Sequence, residues 1–419
     1  LFGHELGLGT VREVKMSGIR AFAIGGCCAL TIGAMSLFTV ALPAESGVGT
    51  LIAAYNGSGQ RLFQAFAKSP GNIVLSPYSI GTAMAMALAG ARGDNEAEMA
   101  KVLGIALSRE QLNDANAAVL AGLNKASSAA LQLNVANALM LTKDGRAVSA
   151  DYVLLLRDKY GAEVFRDANL STVNNWVKQT TSGKIPSILD QLDPHTALVL
   201  VDAIYFKAKW QSVFGPRATR DDTFHLVKGD AQVPTMHLRA NLALAERPGY
   251  RAIRLPYEGG HMSMVIVLPD VGNADLPQKF DSAELQSLIT ALRAVSQSVD
   301  VSLPRFHGNF DTSLVAPFEA MGMHRAFDPR TADFSGMTGK PQSQLPLAIG
   351  QIVHRAVIDV AEEGTEAAAA TAVTVVATAM RPQQAETFQV DRPFLFAIVD
   401  DDTGAVLFEG RIADPRQTS

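Results

Sequence analysis

Cysteine is almost absent. The 419 residues hold two, adjacent at Cys27 and Cys28, so no disulfide framework supports this chain. Basic charge is short as well: 36 Lys and Arg stand against 41 Asp and Glu, a net charge of −5 with no basic stripe. That excludes phosphate-backbone recognition as the main role and removes nucleic acid as the partner. Signatures of catalysis are missing too, with no Gly-x-Ser-x-Gly elbow, no His-Glu-x-x-His and no cysteine beyond position 28 to act as a nucleophile. The eight histidines are scattered without ligand spacing, so neither a metal nor a cofactor is expected. No Pro-, Gly- or Ser-rich linker and no 20- to 50-residue repeat interrupts 62–415, which favours one continuous domain. What the chain has is apolar residues, 48% of the total, enough to bury a large core.

An uncharged apolar run occupies 21–42. Met16 and Arg20 precede that run, and Ala41 and Ala44 follow it before Glu45-Ser46. This is the pattern of an export signal cleaved near Ala44, which leads to the expectation of a secreted protein, extracellular or periplasmic, with no membrane attachment after cleavage. The competing reading is an anchor, since about 20 apolar residues span a bilayer. Residues 1–15, upstream of the first methionine, read as an over-extended start, leaving 16–44 as signal and 45–419 as the folded part.

Helical spacing of apolar residues marks 62–67, 79–89 and 96–102, with Ser79 and Asp94 as starts and Gly90 and Gly104 as stops. The run Leu198-Val-Leu-Val-Asp-Ala-Ile-Tyr-Phe206 reads as a strand buried on both faces of a large sheet. Further strands are expected at 252–255, 262–268, 299–303, 356–360, 394–399 and 405–411, with a turn at Asp402-Thr-Gly404. The fold class is α+β.

The stretch Glu362-Glu-Gly-Thr-Glu-Ala-Ala-Ala-Ala-Thr-Ala-Val-Thr-Val-Val-Ala377 has divided propensity, alanines for helix and then β-branched residues for strand. Read as a strand, it places Thr365, Ala367, Ala369, Thr371, Val373 and Val375 on one face, all slim and none charged. Composition alone favours an alanine-rich loop or short helix. Separated motifs add context: Asn72-Ile-Val-Leu-Ser-Pro-Tyr-Ser-Ile80 with Gly90-Ala-Arg-Gly93, Asn174-Asn-Trp-Val177 with Thr181-Ser-Gly-Lys-Ile185, Val201-Asp-Ala-Ile-Tyr-Phe-Lys207 with Trp210, and Asp391-Arg-Pro-Phe-Leu-Phe396 through Gly404 to Gly410-Arg411. In this order, across 62–415, they make the chain resemble the serpin family of serine protease inhibitors.

The resemblance implies a fold of three β-sheets and eight or nine helices with an exposed reactive-centre loop at about 364–388. It also implies suicide inhibition by a monomer that is no enzyme. The target protease cuts the loop, forms an acyl-enzyme, and is trapped as the loop inserts into the central sheet. Glu362, Glu363, Gly364, Thr365, Glu366, Ala367, Ala368, Ala369, Ala370 and Thr371 match the hinge of inhibitory members, with Gly364 supplying backbone freedom. Family spacing of fourteen residues from Gly364 gives the bond Thr378-Ala379, with Met380 and Arg381 as alternatives. Pro382 disfavours Arg381, because a proline after the cut bond has no amide hydrogen and restricts its predecessor. The small residues nearby suit an elastase-like or subtilisin-like serine protease, with a cysteine protease as a further class.

By the same resemblance Ser76, Ser79, Asp202 and His354 meet under the central sheet where it opens, and Trp210, Arg305 and Glu362 meet at its top. Asp202 stands where relatives carry Asn. A charged pair with a protonated His354 is therefore expected, with pH-sensitive insertion as its consequence. The rival readings are a non-inhibitory serpin acting as a binding protein and, from another class, a secreted hydrolase.

Overall fold

The computed structural model describes residues 44–142, 148–192, 197–293, 296–365 and 385–417. The first half is mostly helical: α1 (Ala44–Phe66), β1 (Ile73–Leu75), α2 (Pro77–Gly90), α3 (Gly93–Leu103), α4 (Arg109–Ala126), β2 (Leu131–Leu141), α5 (Ala150–Tyr160), β3 (Glu163–Phe165) and α6 (Leu170–Thr180). Strands then dominate, with β4 (Leu198–Lys209), β5 (Arg220–His225), β6 (Asp230–Arg247), β7 (Tyr250–Pro256) and β8 (Met262–Pro269). The remainder is α7 (Leu276–Lys279), α8 (Ser282–Ala291), β9 (Ser296–Pro304), β10 (Phe306–Ser313), α9 (Val315–Ala320), α10 (Ser335–Thr338), β11 (Ile349–Ala361), β12 (Gly364–Thr365), β13 (Glu386–Gln389), β14 (Phe394–Asp400) and β15 (Val406–Ile412).

Local chemistry sets the helix ends. α2 begins at Ser76, three residues before the expected Ser79. Pro77 fits the first helical position, where no amide is needed, and Ser76 Oγ accepts from the Ser79 amide at 3.2 Å. α3 begins at Gly93 behind Arg92, so Asp94 lies in the first turn, where its charge suits the helix dipole. Gly104 closes α3 in the left-handed conformation, as its position in the pattern suggests. α1 is much longer than the expected 62–67. Its Gly47, Gly49, Gly57 and Gly59 dilute helix propensity, but Leu51, Ile52, Tyr55, Leu62 and Phe63 bury one face, and tertiary packing decides.

Hydrogen bonding among the described residues connects the strands into two networks. One has nine strands and the other six, in the order β10-β11-β12-β4-β2-β3. Two of the expected sheets share a strand: β6 pairs with β9 over 235–243 and with β7 over 243–247. Ten α-helices are described rather than eight or nine, and α7, α9 and α10 among them are only four to six residues long.

β4 is buried through its first nine residues and has a cover on each face. Leu198, Leu200, Ile204, Phe206 and Ala208 enter the main core, to which α2 also contributes. The alternate residues Val199, Val201 and Ala203 join a separate core under Val173, Trp176 and Val177 of α6. Asp202 shares the phase of the first set, which turns it toward α2.

One carboxyl sits oddly in the nine-stranded sheet. Glu409 on β15 is 4% exposed, its Oε1 has no hydrogen-bond partner, and Phe63, Phe280, Leu285 and Phe396 are among its surroundings. Burial alone pushes it up to about 8.

Candidate functional site

The six-stranded sheet is forked. β4 and β11 pair directly in parallel from Leu198–Ile349 to Ile204–Ala356. Beyond that point β12 lies between them, with Thr365 opposite Val360 and Ala208, and Gly364 opposite Ala361 and Lys209. The chain therefore turns after β11 and threads its next two residues back into the sheet.

Side chains at the top of the fork hold this turn. Trp210 donates from Nε1 to the Ala361 carbonyl (2.9 Å) and from its amide to the Glu363 carbonyl (2.8 Å), while the Phe214 amide donates to the Glu362 carbonyl (3.0 Å). Arg305 Nε donates to both Glu362 carboxylate oxygens at 2.8 and 3.0 Å, Arg305 Nη2 donates to Oε1, and the Thr219 hydroxyl adds a third donor. Burial raises the Glu362 carboxyl, but the Arg305 and Thr219 hydrogen bonds outweigh it and hold the group below its ordinary value. Trp210, Arg305 and Glu362 are thus brought together.

Gly364 has the expected conformational reason to be glycine, a φ of +156°, and a steric one beside it. A Cβ there would lie 1.9 Å from the Ala208 carbonyl oxygen, so only glycine lets the loop approach β4 this closely. Thr365 beyond it is fully buried, and its Oγ1 lies 2.6 Å from Tyr257 Oη. The Tyr257 ring stacks on Trp210, with centroids 4.5 Å apart and planes 8° from parallel. Tyr257, Phe214 and Thr219 have no signal in the sequence. Each lies in an ordinary loop or strand-end context, and only the fold carries it to the fork.

Ser76, Ser79, Asp202 and His354 also come together, all 2% exposed or less. Asp202 and His354 face each other across the β4–β11 ladder, near the end of the direct pairing. Ser79 donates to Asp202 Oδ1, and His354 Nδ1 lies 3.4 Å from Asp202 Oδ2. The Ser76 amide donates to His354 Nε2 at 3.3 Å. A backbone N–H pointing at Nε2 requires a lone pair there, so the ring proton sits on Nδ1 and faces the carboxylate.

The remaining hinge residues Glu366 to Thr371 and the cleavage candidates Thr378, Ala379, Met380 and Arg381 lie outside the described residues. An open cleft of about 810 Å3 occurs well away from the fork, where Arg92 Nη1 donates to the carbonyls of Ala89 and Ala91 and so closes the end of α2.

Comparison with known proteins agrees with this geometry. The family model described as Serpin (serine protease inhibitor) matches residues 53–415. An uncharacterised serpin-like protein of Thermococcus kodakarensis is 35% identical over 364 residues, covering 85% of this chain and 83% of the relative. Human leukocyte elastase inhibitor is 34% identical over 363 residues, covering 82% and 93%. Among solved structures, the native state of the thermophilic serpin tengpin aligns with a TM-score of 0.77 at 30% identity, covering 86% of this chain and 94% of that one. Human thyroxine-binding globulin complexed with thyroxine aligns at 0.78 and 26% identity, covering 88% and 100%. A forked sheet with a loop threaded into its top, motifs in family order and a family match over most of the length converge on one conclusion: the chain belongs to the serpin family.

Proposed function

We propose that the protein inhibits a serine endopeptidase by offering the segment 364–388 as substrate and trapping the acyl-enzyme as that segment enters the six-stranded sheet between β4 and β11. One observation carries the reading. β12 already occupies the fork at Gly364–Thr365, while below it β4 and β11 pair directly with no strand between them, as parallel neighbours that a further strand can separate.

The energetics follow from that arrangement. A strand inserted over about a dozen residues gains on the order of 10 kcal/mol, at roughly 1 kcal/mol per net hydrogen bond, with further gain from burying its slim face. Thr365, Ala367, Ala369, Thr371, Val373 and Val375 carry no charge on that face. Insertion must outrun deacylation for the protease to be held. A bond at Thr378-Ala379 or Met380 suits an elastase-like or subtilisin-like enzyme, and relatives named leukocyte elastase inhibitor support that class. An export leader at 16–44 would deliver the inhibitor to extracellular or periplasmic proteases.

Incubation of residues 45–419 with pancreatic elastase or subtilisin tests the proposal. A protease-linked band that survives denaturant is the expected product. Loop nicking without such a band would favour a binding protein, and turnover of a substrate by the chain alone would favour a hydrolase.

A further inference from the structure

Tyr257 just follows β7, and its place is fixed by rings. It lies flat on Trp210 and meets Phe206 edge-on at 5.1 Å and 73°, and its backbone bridges to Trp210. The whole residue is inaccessible to solvent. A ring held this way has one polar atom to satisfy, and the partner at 2.6 Å is Thr365 Oγ1, itself fully buried. Burial raises the phenol well above its ordinary value, so the hydroxyl stays protonated and able to donate throughout the working pH range.

The pairing crosses a functional boundary. Tyr257 belongs to the permanent framework, whereas Thr365 is the last residue of the two-residue strand β12 at the start of the loop. Strands this short are marginal by their ladders alone. Were β12 to leave the fork, Tyr257 Oη would be left buried and unpartnered against Trp210. Were the hydroxyl missing, Thr365 Oγ1 would be the orphan. Each hydroxyl therefore penalises the absence of the other, which makes the contact a latch between the framework and the loop.

We propose that Tyr257 is a positioning residue whose hydroxyl keeps Thr365 threaded between β11 and β4, so that insertion after cleavage starts from a loop already engaged and trapping competes better with release. The effect on trapping rests on the inhibitory reading above; the latch itself does not.

Hydrogen exchange at the Gly364 and Thr365 amides, measured on the intact protein, tests the latch. Tyr257→Phe keeps the ring stack and removes the hydroxyl, so exchange at these two amides is expected to quicken about tenfold, the size of one buried hydrogen bond. The stoichiometry of inhibition with a trapped protease is expected to rise severalfold while the association rate constant stays at the wild-type value. A generally weakened structure would not separate these two quantities. The double variant Tyr257→Phe with Thr365→Val removes both hydroxyls and is expected to recover stoichiometry toward wild type. Should Tyr257→Phe fail to fold, Thr365→Val removes the same bond from the other side and is expected to speed exchange alike. Wild-type exchange at both amides in these variants would overturn the proposal. A wild-type protein that traps no protease would overturn the inhibitory reading instead, and the exchange rates would still decide the latch.

Discussion

On the inhibitory reading, Thr365→Arg is expected to turn the protein from a trap into a substrate. With a protease that the wild type holds, the variant is expected to be cut at a similar rate but to release the enzyme, so the denaturant-resistant band disappears and the stoichiometry rises about tenfold or more. The reason lies at the fork. Thr365 has no exposed surface, β11 and β4 flank it, and its hydroxyl meets Tyr257 in a site built from Trp210 and Phe206. A guanidinium in this buried, already threaded position would have no counter-charge beside it, a cost of several kcal/mol, so the arginine is expected to leave the fork and insertion would have to bury it again. Glu362 is close in sequence, but Arg305 and Thr219 already occupy its carboxylate. Insertion slows while deacylation does not, and the partition reverses. An undiminished share of covalent complex in the variant would refute the assignment of Thr365 to the inserting face.

Glu409 makes the second large effect, and its sign is opposite to that of a salt-bridged acid. The native carboxyl titrates near 8, against 4.5 for the free side chain. Between those values the native state binds a proton that the unfolded state has lost, so stability falls as pH rises through this window. The full penalty, on the order of 5 kcal/mol, is present above about pH 8 and is absent below about 4.5. Glu409→Gln cannot ionise and still fits beside Gln60 and Phe280. Its melting temperature is expected to exceed that of the wild type by several degrees at pH 9, with the difference closing toward pH 5. Parallel pH profiles for the two proteins would show that Glu409 finds a partner or water that neutralises its burial.

Much of this architecture could be read from residue patterns because local and tertiary preferences agree. β4 advertises itself through an unbroken apolar run, and its alternation sorts residues between two cores. Of the expected hinge, Gly364 and Thr365 enter the sheet to which strand spacing assigns them, and Trp210 and Glu362 follow from the family motifs. Other features are settled only by long-range packing. Nothing in Tyr257-Glu-Gly-Gly260 tells that its aromatic ring will lie on Trp210 and meet the loop. α1 hides behind its glycines because one buried face overrides weak propensity. β6 merges two sheets by being long enough to pair with different neighbours at its two ends. At Gly364 the sequence shows the need for backbone freedom, met by a φ of +156°, but not the close approach to Ala208 that makes glycine doubly necessary.

The central claim is that the intact fold stops short of its most stable arrangement. Thermal unfolding of the protein before and after a single cut within 378–381 addresses it directly. With about 10 kcal/mol gained on insertion and roughly 1–1.5 °C per kcal/mol for a chain of this size, the cut protein is expected to melt about 10–15 °C higher. Equal melting temperatures for the cut and uncut forms would contradict the account.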